Sequence, residues 1–133
     1  MNHNDEAKKI LFNNDNFVYS IKLCHKLFGG YYYEIKYKDR ADLPKKITFK
    51  SEYNNKGKCL EVLDRFCSLY KKHMFLRIDN TVVNLNNIHD IRYDNVTSTI
   101  IYTDGKEIFL RTTNKQFANL YVQAMNNVRT YEK

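Results

Sequence analysis

The sequence predicts an α+β fold made of two similar antiparallel ββββα units, packed as one domain over residues 1–133. Three observations carry that expectation. Apolar residues alternate at period two in segments such as YYYEIKYK (31–38). Apolar residues recur at helical spacing twice, late in each half of the chain. The two halves also share one pattern at a shift of 65 residues, which divides the chain into units of about 8–72 and 73–133.

The first element pair comes from laying KKILFNNDNFVYSIKLCHKL (8–27) on HMFLRIDNTVVNLNNIHDI (73–91). Leu11 then meets Leu76, Phe17 meets Val82, Ser20 meets Leu85 and Leu23 meets Ile88. Next, YEIKY (33–37) matches STIIY (98–102), with Tyr31, Tyr33, Ile35 and Tyr37 on one face and Tyr32, Glu34, Lys36 and Lys38 on the other. ITFKS (47–51) matches IFLRT (108–112); Ile47 and Phe49 alternate with Lys46, Thr48 and Lys50. The second copy turns through Thr103-Asp-Gly-Lys106, which reads as a two-residue hairpin turn because Asp-Gly tolerates positive φ. The first copy uses the longer, basic KDRADLPKK.

A helix at about 57–72 follows from the stripe Leu60, Leu63, Phe66, Cys67 and Tyr70. Gly57 is read as loosening the loop that enters it. A second helix at about 113–129 follows from Phe117, Leu120, Tyr121, Ala124 and Val128, opened by a capping box between Thr113 and Gln116.

Composition bounds the function classes. The chain has the length of one domain and enough apolar content, 43%, for a core. No apolar run approaches the ~20 residues of a membrane span, and the polar MNHNDEAKKI does not read as a secretory signal. Three cysteines without tight spacing predict a reduced, cytoplasmic protein. The net charge of +7 suits a polyanionic partner. The abundance of Lys, Asn, Ile and Tyr is also what an AT-rich genome writes. Codon bias acts on both halves, however, and residues 1–72 carry a net +6 against +1 for 73–133. Eight basic residues fall within 36–58.

No P-loop, GxGxxG, HExxH or GxSxG motif is present, so a non-enzymatic protein is expected. His3, His25, His73 and His89 are scattered, and Cys24–His25 and Cys67–His73 lack the spacing of paired metal ligands. No metal or cofactor is expected. Cys59 and Cys67 read as small apolar helix residues. Asp39, Asp42, Asp90 and Asp94 read as turn and strand-end carboxylates.

The basic cluster carries the functional content. Tyr32, Lys36, Lys38, Arg40, Lys45, Lys46 and Lys50 lie on two neighbouring strands and their turn. Phosphates need cations at intervals, and unpaired bases need flat surfaces. The competing reading is a wet sheet face whose lysines block edge-to-edge association.

GGYYYEIKY, KKITFKS and KCLEVLDRFCSLY, together with the tandem ββββα plan, resemble the Whirly and PUR-repeat single-stranded nucleic-acid-binding proteins. That resemblance implies a nucleic-acid face formed by Tyr32, Lys36, Lys38, Lys46 and Lys50. PUR repeats keep a shorter, glycine-rich hairpin where this chain has KDRADLPKK. MFLRIDNTVVNLNNIHDI followed by TDGKEIFLR is similar to the C-terminal half of a LytTR DNA-binding domain. There the motif's His is Asp79 and one residue is missing before Val82, so no base contacts carry over.

The resulting expectation is nucleic-acid binding, DNA or RNA and single-stranded, mainly through phosphate contacts. The near-neutral second unit would serve as structural partner or homo-oligomer interface. The alternative is a phage- or mobile-element-encoded protein whose basic patch occupies an acidic groove of a protein target in a host system. Neither reading involves a membrane.

Overall fold

Strand β1 (Phe17–His25) is the centre of the larger of two sheets in the computed structural model of the chain. Residues 8–11, 13, 15–69, 74–94, 96–112, 115–119 and 121–123 are described. They form two compact units, Met1–Asn84 and Leu85–Lys133.

In the first unit β1 is followed by β2 (Tyr31–Lys38), β3 (Pro44–Lys50), helix α1 (Lys56–Leu69), β4 (Phe75–Ile78) and β5 (Thr81–Asn84). The sheet order is β3-β2-β1-β5-β4, and every pairing is antiparallel. The alternation read from the sequence fixes the inner face. Tyr33, Ile35 and Tyr37 on β2 join Val18, Ile21 and Leu23 on β1 and Phe49 on β3 in one buried cluster. Leu63 and Cys59 of α1 enter the same cluster, with Leu60, Phe66 and Cys67 half-buried against it. Tyr33 donates its hydroxyl to the Cys59 carbonyl at 2.9 Å, so this buried hydroxyl is satisfied.

Helix α1 starts where Asn55 caps it. The Asn55 side chain accepts from the Lys58 amide at 3.1 Å, and its carbonyl accepts from the Cys59 amide. Gly57 therefore lies in the first helical turn, not in the entering loop. Tyr70, the last residue of the predicted stripe, lies outside the described residues.

The second unit holds β6 (Ile88–Tyr93), β7 (Ser98–Tyr102) and β8 (Glu107–Leu110) in one antiparallel sheet. Ile100, Ile108, Leu110 and Phe117 are buried, and residues 115–119 and 121–123 are helical. Phe117 meets Tyr93 edge-on and Tyr121 face-on, with centroids 6.3 and 6.2 Å apart. Thr113, Leu120, Ala124 and Val128 lie outside the described residues. The Thr112 hydroxyl sits 3.3 Å from the Gln116 side chain, one position earlier than the capping box predicts.

The mixed, mostly antiparallel class follows the expectation, but strand pairing does not follow the ββββα repeat. Residues 8–11 are helical, and three strands precede α1. The predicted boundary at 72/73 also needs correction, because β4 and β5 complete the first sheet and the division falls at 84/85. The physical reason lies in two asparagines. Asn84 donates its side-chain amide to the Val18 carbonyl at 2.9 Å, beside a bulge in β1. Asn80 accepts the Leu23 amide on its carbonyl and donates its side chain to the Leu23 carbonyl. These bonds lock the β4–β5 hairpin to the edge of β1. The turn after β7 differs as well. Tyr102 and Lys106 close it, and Gly105 alone takes positive φ, at 88°, so it is a three-residue loop.

Candidate nucleic-acid interface

The β2–β3 hairpin presents the predicted basic residues, and its register determines which of them meet. Tyr32 stands directly opposite Lys50, Glu34 opposite Thr48, and Lys36 opposite Lys46. Side chains at alternate positions share a face, so these six residues form one ladder on the side away from the buried cluster. Lys22 of β1 extends it, because Lys22 pairs with Glu34 and is exposed. Lys22 is a candidate residue that the sequence reading missed. Its signal was available in the alternation Ile21, Lys22, Leu23.

Lys45 takes the other face. It pairs with Tyr37, and its amine lies 3.6 Å from Asp39. The chain must reverse over residues 39–43, and Asp39 organises that reversal. One Asp39 carboxylate oxygen accepts from the Ala41 amide at 2.9 Å and the Leu43 amide at 3.1 Å. The Leu43 bond, then the Ala41 bond and Lys45, hold this carboxyl below the usual aspartate range. Asp39 is thus a turn residue, as expected. Arg40 is exposed within this turn.

Carboxylates partly offset the cluster. The Lys36 amine is 3.9 Å from Glu34, and the Lys38 amine is 3.8 Å from Asp42. Lys38 also lies 5.5 Å from the centre of the Phe17 ring. Among the described residues, Lys22, Arg40, Lys46 and Lys50 have no carboxylate within 4.0 Å. Of the seven predicted residues, Tyr32, Lys36, Lys46 and Lys50 therefore share the ladder. Lys38 and Arg40 lie at its turn end, and Lys45 is turned away. Tyr32 is half-buried beside Cys24, its β1 partner, and its electrostatic interaction and hydrogen bond with that side chain push the phenol pKa above its ordinary value.

The opposite end of the hairpin carries a feature that the sequence reading did not single out. The β1–β2 turn places Leu27 and Phe28 at its tip, 89% and 96% exposed. Gly29 and Gly30 take φ of 90° and 81°, and Lys26 donates its amide to the Gly30 carbonyl. A Cβ at either glycine would meet nothing within 4 Å, so conformation, not space, requires glycine there.

The remaining candidates are structural. Cys24 and His25 are successive strand residues and point to opposite faces. His25 instead packs on Tyr31, with ring centres 4.6 Å apart. Cys67 is half-buried on α1, and burial pushes its thiol up to about 11; His73 lies outside the described residues. Asp94 accepts from Val96 and Thr97 in a turn, and Asp90 pairs with Arg92 at 3.7 Å. Among the described residues no helix is long and apolar enough to cross a membrane. No protein-family model, curated protein or solved structure matches this chain.

Proposed function

We propose that the first unit binds nucleic acid without catalysis, by laying a phosphate chain along the β2–β3 ladder. The observation that carries this reading is the pairing of Lys36 with Lys46 and of Tyr32 with Lys50 on one open face. Like charges placed directly opposite each other cost stability unless an anion lies between them. Lys22, Lys46 and Lys50 lack carboxylate partners among the described residues, so their charge is available to phosphate. Tyr32 adds an aromatic surface on the same face. The first unit holds the charge excess: moving its boundary to residue 84 adds only Arg77 and Asp79, which cancel.

Filter-binding titration against a single-stranded DNA, its duplex and the matching RNA tests the proposal. Dissociation constants on the order of micromolar, rising steeply with salt, are expected. Failure to retain any of the three at low salt, with an acidic protein co-purifying instead, would replace this reading with the protein-target alternative.

A further inference from the structure

The β1–β2 tip bears on which form of nucleic acid fits. An exposed apolar side chain on its own is ordinary. Here two adjacent large ones crown a turn, and Phe28 borders a cleft of about 670 Å³. His25, Lys26, Tyr31, Lys50 and Asn54 line the rest of its wall with the two glycines, and no carboxylate contributes. That volume suits a small aromatic ligand. A second cleft on the same end of the sheet shares His25 and Tyr31 and adds Lys22 and Lys56, again without a carboxylate. Aromatic rings and cations without acidic neighbours complement an anion that carries a flat ring.

The cleft meets the ladder at Lys50, which lines the cleft and pairs with Tyr32; His25 and Tyr31, one position on, lie on the face of the buried cluster, against which Tyr31 packs. We infer that the cleft takes an unpaired nucleobase of a single strand, stacked on Phe28, with its phosphate held by Lys50 and Lys26. This inference rests on the phosphate-binding reading and adds a preference for single strands, because a base within a duplex is already stacked and cannot enter. DNA and RNA offer the same ring and phosphate, so both are tested.

The experiment is an anisotropy titration of the full chain with labelled oligothymidylate, oligouridylate and a duplex of equal length. The variants are Phe28→Ala, Phe28→Tyr and Phe28→Trp. The chain has no tryptophan, so the last variant places its only indole at the tip. Phe28→Ala should weaken single-strand binding roughly five- to a hundredfold with the salt slope unchanged. Phe28→Tyr should restore it, the indole should be quenched by single strands, and duplex should bind less tightly than either single strand. Phe28 is solvent-exposed, so these variants keep the core intact. Salt-dependent wild-type binding that Phe28→Ala leaves unchanged, with an unquenched indole, would overturn the base cleft and leave the phosphate ladder standing. A wild type that binds none of the three would overturn both.

Discussion

Lys36 and Lys46 face each other across β2 and β3 on the same side of the sheet. Lys36 has Glu34 within 3.9 Å, and Lys46 has no such partner among the described residues. Directly opposed like charges destabilise a sheet, whereas favourable cross-strand pairs contribute roughly 0.2–1 kcal/mol. Lys46→Thr should therefore raise the urea midpoint while weakening nucleic-acid binding. Opposite signs for the two effects identify a residue kept for its ligand; a loss of stability would show that Lys46 packs for the fold.

Salt dependence separates the ladder from its rim. Each phosphate contact removed lowers the slope of log affinity against log salt by about one. Lys46→Gln and Lys50→Gln should each do so. Lys45→Gln should leave the slope unchanged, because Lys45 lies on the other face beside Asp39. Equal slopes for all three variants would move the contact surface away from the ladder.

The faces of the hairpin were legible in the sequence because side-chain alternation is a local property. Tyr33, Ile35 and Tyr37 are buried as their spacing predicts. Pairing partners were not legible. Periodicity marks 75–84 as strand but does not say which sheet it joins, and the bonds from Asn80 and Asn84 that decide this span 57 and 66 residues. The candidate site was half legible for the same reason. Alternation placed Lys36, Lys46 and Lys50 on one face, Lys45 on the other, and marked Lys22 as outward; that Lys22 stands beside Glu34, and so extends the ladder, is set only by the pairing of β1 with β2. Phe28 sits beyond the last alternating residue, where no period applies.

The start of α1 gives a stability prediction. Asn55 accepts the Lys58 amide at 3.1 Å and sets where the helix begins. Asn55→Ala should cost about 1 kcal/mol in denaturant unfolding, and Asn55→Asp should retain most of it. An unchanged midpoint for the alanine variant would mean that packing of Leu63 and Cys59 alone fixes the helix start.

High pH should destabilise the first unit through one buried and one half-buried acid. Burial pushes Tyr33 up to about 12 from 10.0 and Cys67 up to about 11 from 9.0. Both are neutral when protonated, so the folded state favours the proton-bound form. Below pH 9 neither group alters stability with pH. Above it the unfolded chain releases the Cys67 proton first, and stability falls until the folded thiol titrates near 11. Tyr33 adds a second loss between pH 10 and 12. Cys67→Ala should remove the earlier part of the decline, and Tyr33→Phe the later part. The tyrosine variant lowers stability at neutral pH as well, because the Cys59 carbonyl loses its 2.9 Å hydroxyl donor. The measurement is the urea midpoint from pH 8 to 12. A decline that keeps its shape in both variants would assign alkaline unfolding to other groups.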